Sequence, residues 1–227
     1  MDRGLFIVVE GVEGAGKSTQ ARLLSRWMAE ENIAHILARE PGGTPVGEAI
    51  RGIVLNRGEM TMPPETELFL ILGARAAFVR EVVEPALARG QVVLADRFDF
   101  STFAYQGYGR GLSLEEVRQA NSMATGALEP DLVLVLDLPV PEGLTRKGGT
   151  AGGDRIEQEG EPFLTLVRQG YLALAERSSN ARILDASGPI GKVQAQIRKV
   201  LGDTFPGTFP SAGVEKHGEA HSPSQAS

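Results

Sequence analysis

The sequence predicts an α/β domain in which a five-stranded parallel sheet is covered by helices on both faces. Two observations carry that prediction. Apolar runs at 5–10, 34–39, 91–96, 131–137 and 181–185, rich in Val, Ile, Leu and Ala, are nearly continuous, as strands buried on both faces are. Helical patterns at roughly 18–31, 45–56, 64–89, 113–127, 161–178 and 189–201 alternate with them, as crossover connections between parallel strands require. A third observation places the working edge: a glycine-rich turn, Gly11-Val12-Glu13-Gly14-Ala15-Gly16-Lys17-Ser18, joins the first strand to the first helix.

That turn matches G-x-x-x-x-G-K-[ST] and follows the run Leu5-Phe6-Ile7-Val8-Val9. Its glycines let backbone N–H groups turn inward on phosphate oxygens, and the helix N-terminus adds a favourable dipole. In such a loop Lys17 reaches the β- and γ-phosphates and the Ser18 hydroxyl ligates Mg²⁺. Residues Gly11 to Ser18, with Thr19, are therefore the predicted triphosphate site. The second strand ends in Arg39-Glu40-Pro41-Gly42-Gly43.

The 64–89 helix has the clearest periodicity. Pro64 suits its first turn, Leu68, Leu72, Ala76, Val79, Val83 and Leu87 make a core stripe, and Gly90 closes it. The third strand (Val92-Val93-Leu94-Ala95) runs into Asp96-Arg97-Phe98-Asp99 and then Ser101-Thr102-Phe103-Ala104-Tyr105-Gln106-Gly107. A short helix after the fourth strand leads to 147–160, glycine-rich and polar, which reads either as a mobile lid or as a plain surface loop. Residues 203–227 combine Gly, Pro, Ser, His and charge without an apolar period, so the domain is expected over 1–202 with a disordered tail beyond.

Open parallel sheets bind ligands beyond the carboxyl ends of their strands, where these polar clusters fall. Arg39, Arg51 and Arg97 are placed around one crevice beside the triphosphate site. Guanidinium forks suit phosphate, and a second phosphate group is what a phosphoryl acceptor brings. Asp96 either serves Mg²⁺, directly or through water, or caps a helix or pairs with an arginine.

Composition narrows the function classes. The 227 residues carry a net charge of −6, against a nonspecific nucleic-acid binder. The absence of cysteine excludes thiol catalysis, disulfides and thiolate zinc sites. His217 and His221 lie in the tail, leaving His35 alone and a histidine-based triad without support. No apolar stretch reaches about 18 residues and no signal pattern opens the chain, so a cytoplasmic protein without a membrane partner is expected. Against a slow nucleotide switch, there is no N-K-x-D guanine motif, and the D-x-x-G match Asp185-Ala186-Ser187-Gly188 lies near the C-terminus.

The glycine-rich loop, Arg39-Glu40-Pro41-Gly42-Gly43-Thr44, Asp96-Arg97-Phe98, Ser101-Thr102-x-Ala104-Tyr105-Gln106-Gly107 and Asp154-Arg155-Ile156-Glu157 stand in the order seen in bacterial thymidylate kinases. The chain resembles that family over about residues 4 to 202. The resemblance implies a P-loop kinase fold, transfer of the ATP γ-phosphoryl group to dTMP with Mg²⁺, and a homodimer. By position, Glu13 resembles the acid that meets the sugar 3′-hydroxyl, and Arg39, Arg51 and Arg97 look like ligands of the dTMP phosphate. Arg75 matches the arginine that hydrogen-bonds thymine. Thr102 and Gln106 match polar base contacts, and Ser101 belongs with them in the acceptor site. Tyr105 resembles the aromatic that crowds the sugar 2′ position, and Arg146 the arginine that lies against adenine.

Two departures stand out. The family usually has Phe where this chain has Ile71, with Phe69 two residues earlier; both are assigned to the base pocket, which loses a stacking face worth about 0.5–1.5 kcal/mol. Members with Gly at the Gly14 position normally bring a transition-state arginine from an Arg-rich lid, whereas this lid reads Gly148-Gly149-Thr150-Ala151-Gly152-Gly153. Arg146, Lys147 and Arg155 are the basic residues near it. Arg155 is the expected replacement, completing a catalytic set of Lys17, Arg97, Arg155 and Glu13. The departures leave room for a kinase of another nucleoside monophosphate or a deoxynucleoside, or a nucleotide-binding paralogue with weakened transfer.

Overall fold

Five strands, β1 (Phe6–Glu10), β2 (His35–Arg39), β3 (Val92–Asp96), β4 (Leu132–Asp137) and β5 (Ala181–Asp185), lie within a residue or so of the predicted runs. The computed structural model describes residues 3–56, 61–148 and 155–210, and only the backbone of Glu157. The strands form one parallel sheet in the order β2-β3-β1-β4-β5, the α/β architecture read from the sequence. Because side chains alternate along a strand, Ile7 and Val9 face one core while Phe6 and Val8 face the other. The first core is filled by α1 (Lys17–Glu30), α8 (Gly160–Arg177) and α9 (Ile190–Thr204). The second is filled by the long helix that begins as α3 (Pro64–Phe78).

That helix continues to Ala88, as its stripe predicts, through a π-helical turn (Val79–Val83) into α4 (Glu84–Ala88). Pro85 explains the widened turn: it lacks the N–H that the Glu81 carbonyl would accept, and a π turn just before it absorbs the mismatch. Beside this layer lie α2 (Pro45–Val54) and α6 (Leu114–Thr125), both packed on α3. The short helix after β4 is α7 (Val140–Lys147).

Two features depart from the sequence reading. The stretch after β3 is helical: α5 (Asp99–Thr102) runs into a π-helical segment, Phe103–Gly109. Its glycines disguise it, yet they are what lets it pack: a Cβ on Gly107 would lie 2.5 Å from Leu114 and one on Gly109 2.6 Å from the Phe163 ring. The expected disordered tail also starts too early at 203. α9 reaches Thr204, and Phe209, 1% exposed, stacks on Trp27 with ring centroids 5.8 Å apart. A lone aromatic past a helix end carries no periodic signal, so its docking is invisible in the sequence. Residues 149–154 of the predicted lid and 211–227 of the tail lie outside the described residues.

Candidate active site

At the carboxyl edge of the sheet two cavities, about 270 and 600 Å³, lie side by side. Their combined size is that of a small-molecule site. The larger is floored by the glycine-rich loop: Glu13, Gly14, Ala15, Gly16, Lys17, Ser18 and Thr19 line it, with Arg146 and the Ala186–Ile190 turn after β5 opposite. Gly11 and Val12 support this floor rather than line it. Lys17 is buried, and its Nζ donates to the Val12 carbonyl at 2.8 Å. Burial first, and the nearby Arg97 charge second, pull the Lys17 ammonium down to about 8, against the attraction of Glu13, Asp96 and Glu10. An anion in this cavity restores what that burial removes.

The smaller cavity is walled by side chains. Arg39, Arg51 and Arg97 all line it, with Glu13, Glu40, Ile71, Arg75, Ser101, Thr102, Tyr105 and Gln106. Arg97 is its hub. Its backbone is left-handed (φ +78), held by its N–H to the Val9 carbonyl at 3.0 Å, and such strain survives only where the surroundings impose it. Its guanidinium reaches Glu13 Oε1 at 2.5 Å, Tyr171 Oη at 2.9 Å and Ser101 Oγ at 3.1 Å. Burial raises the Glu13 carboxyl, but the charges of Arg97, Lys17 and Lys147 overcome it and hold the group well below the usual carboxylate range. Tyr105 donates to the same Glu13 oxygen at 3.0 Å; its hydroxyl is pushed up by burial and stays protonated.

Beneath this layer Arg75, 1% exposed, is held at all three of its nitrogens. Nε donates to Glu40 Oε2 (2.8 Å), Nη1 to Thr102 Oγ1 (2.7 Å) and Asn121 Oδ1 (2.9 Å), and Nη2 to the Phe98 carbonyl (2.8 Å), while the ion pair with Glu40 brings Nη2 within 2.8 Å of Oε2. Glu40 Oε1 is buried with no hydrogen-bond partner, and burial, reinforced by the Glu10 and Asp99 charges against the opposing Arg75, raises Glu40 to about 7. Glu10, at the end of β1, accepts from the Phe98 and Ser101 backbones (2.8 and 3.1 Å) and from Ser101 Oγ (2.6 Å). It therefore aims the turn that carries Arg97. At the boundary between the cavities, Ser18 Oγ donates to Asp96 Oδ2.

A family model described as thymidylate kinase matches residues 9–197. A thymidylate kinase of Ectopseudomonas mendocina (strain ymp) is 47% identical over 199 residues, covering 87% of this chain and 95% of that protein. Thymidylate kinases of Pseudomonas entomophila (strain L48) and Pseudomonas fluorescens (strain SBW25) are each 48% identical over the same shares. The chain belongs to the thymidylate kinase family.

Within that family frame, most of the residues nominated from sequence line the two cavities; Gly11 and Val12 lie behind the floor of the larger one, and Phe69 and Arg155 stand outside both. Phe69 is corrected: it is 66% exposed and does not line the acceptor cavity, because two steps along a helix turn it away from Ile71, which does. Arg155 stands outside both linings. Its Nε donates to the Val54 carbonyl at 2.9 Å and its Nη2 to Glu67. Arg146 donates to the Ala186 and Ser187 carbonyls, both at 3.0 Å, on the wall of the larger cavity. Arg39 pairs with Glu48 (3.2 Å) and Arg51 donates to the Pro41 carbonyl (3.1 Å).

Glu10, Tyr171, Glu67 and the 186–190 turn were missed. An acid closing an otherwise apolar strand was a usable signal for Glu10. Glu67 reads as an ordinary first-turn acid, yet it is buried and accepts from Gln106 (2.7 Å), Arg110 (3.2 Å) and Arg155. Nothing in the sequence distinguishes Tyr171 from its core neighbours in α8.

Proposed function

We propose that this protein transfers the γ-phosphoryl group of ATP to dTMP, giving ADP and dTDP. The supporting observation is the adjacency of the two cavities: a phosphate loop floors one, three guanidinium groups line the other, and Lys17 and Ser18 border both. ATP lies in the larger cavity, with Arg146 against its adenine. dTMP lies in the smaller, its phosphate held by Arg39, Arg51 and Arg97 and its base beside Ile71, Thr102 and Gln106. Gln106 Oε1, buried and without a partner, is an acceptor available to the base. Glu13 and Tyr105 bracket the sugar, Tyr105 leaving little room for a 2′-hydroxyl.

The acceptor phosphate is already anionic, so no strong base is required, and catalysis rests on alignment and charge stabilisation. The paired oxygens of Ser18 and Asp96 are the hard donors that Mg²⁺ takes, and among the described residues no group of three or more acidic or histidine side chains is arranged so that it could hold a metal ion by itself. That fits an ion held by one or two protein oxygens plus substrate phosphates, where it would screen the charge on the triphosphate. A homodimer is supported by large apolar side chains left exposed on α3 and on the two helices packed against it, α2 and α6: Val46, Ile53, Phe69 and Met123. No helix among the described residues is long and apolar enough to cross a membrane, in keeping with cytoplasmic nucleotide synthesis. Turnover of dTMP, dUMP, dCMP, AMP and thymidine with ATP tests the assignment. Clear preference for dTMP is expected, and the absence of any preference for dTMP or dUMP contradicts it.

A further inference from the structure

Four residues line both cavities: Glu13, Lys17, Ser18 and Lys147. A phosphoryl group moving from one cavity to the other must pass them, and two of the four are cations. Lys17 belongs to the phosphate loop. Lys147 comes from the end of α7, and packing fixes its place there. Gly143 lies so close to the loop that a Cβ on it would sit 2.4 Å from the Glu13 carbonyl oxygen, and one on Gly14 would sit 2.2 Å from the Gly143 carbonyl oxygen. Residues four apart share a helix face, so Lys147 stands one turn beyond that contact, over the loop. Its Nζ is 3.6 Å from Glu13 Oε2.

The other basic candidates point elsewhere. Arg146 is bound to the 186–187 backbone, and Arg155 to Glu67 and Val54. Position 14 cannot bear an arginine without displacing the α7 backbone, since Gly14 has φ +76 and no space for a Cβ. Residues 148–154 contain no Lys or Arg.

Resting on the kinase reading above, we propose that Lys147 is the catalytic cation that neutralises the transferring phosphoryl group, in place of an arginine. A dTMP phosphate oxygen bonds to the γ-phosphorus as the bond from that phosphorus to the β,γ-bridging oxygen breaks. ADP leaves with the electron pair, and no proton need move. An ammonium carries three donors, so Lys147 can keep Glu13 while donating to an equatorial oxygen of the group in flight.

Steady-state kinetics with ATP and dTMP on the wild type, Lys147→Ala, Lys147→Arg and Arg155→Ala test this. Lys147→Ala should lower kcat by about 100-fold or more, with both KM values within about threefold, since the interaction forms only in transfer. Lys147→Arg should stay within about tenfold of wild type, and Arg155→Ala should act mainly on KM for dTMP. ADP titration of Lys147→Ala should give wild-type affinity, showing an intact donor site. A Lys147→Ala enzyme with kcat within threefold of wild type overturns the proposal, as does a larger kcat loss in Arg155→Ala. A wild type that phosphorylates no nucleoside monophosphate instead defeats the kinase reading.

Discussion

The donor and acceptor halves of this site are made from different materials. The donor floor is a single stretch of chain, the seven consecutive residues from Glu13 to Thr19, with one buried lysine. The acceptor wall is side chain against side chain, drawn from the glycine-rich loop, from the ends of β2 and β3, from α2 and α3 and from the largely helical 97–106 segment, with Tyr171 of α8 bracing Arg97 from behind. A backbone site needs only a local conformation, and in this loop change is least tolerated at Gly11, Gly14 and Gly16, whose φ angles are positive. A side-chain site spreads its charge over mutually supporting pairs, so single losses there are partial. The halves should therefore fail differently.

Lys17→Ala strikes the donor half hardest. Transfer should fall by at least about 10³-fold, the scale of losing a preorganised cation on a developing charge. The fold should remain, because removing a buried ammonium relieves a desolvation cost. Kinetics and a thermal melt check both parts. Arg97→Ala should break the acceptor half alone, lowering kcat/KM for dTMP by about 10²–10³-fold, with ATP affinity, read by titration, largely kept. Equal loss of both affinities would mean the halves are not separable.

Gly14→Ala probes the backbone directly. A left-handed alanine costs about 1–2 kcal/mol, and its Cβ meets the Gly143 carbonyl at 2.2 Å, so α7 must shift. Chemical denaturation should show a loss of at least about 2 kcal/mol, together with weaker ATP binding.

Glu40→Gln gives the smallest effect and isolates the buried carboxylate layer. Glu40 lies near 7 in the fold against 4.5 when exposed, so between those values the native state keeps a proton that the unfolded chain has released. Stability supplied by that proton is complete below about 4.5 and declines as pH rises towards about 7. The neutral glutamine keeps an acceptor for Arg75 and removes this contribution. Melting temperatures from pH 5 to 7.5 should fall less in Glu40→Gln than in the wild type; equal slopes would place the titration elsewhere, for instance on Asp99, raised to about 6 by burial.

The same contrast explains what could be read from the chain. The β-α alternation and the phosphate loop are legible because they are local: periodicity and nine adjacent residues suffice. Arg39 and Arg97 were legible as basic residues at strand ends and Arg51, in α2, as a third guanidinium for the same crevice, and the family resemblance named the nucleotide whose phosphate they would hold. Phe69 was misplaced because helix phase, not proximity in sequence, decides which residue faces a cavity. The buried carboxylates Glu10, Glu40 and Glu67 were passed over, since an acid on a strand or helix end looks solvated until the partner arrives from a distant segment. The Phe103–Gly109 helix stayed hidden because its glycines serve close packing rather than turns.

The central claim is that two nucleotides meet end to end across the boundary formed by Glu13, Lys17, Ser18 and Lys147. A ligand with adenosine and thymidine joined 5′ to 5′ by five phosphates tests it most directly. It should compete with both ATP and dTMP and bind at least about 100-fold tighter than either, as linked occupancy of two adjoining sites allows. Competition with only one substrate, at an affinity no better than that nucleotide alone, would contradict the account.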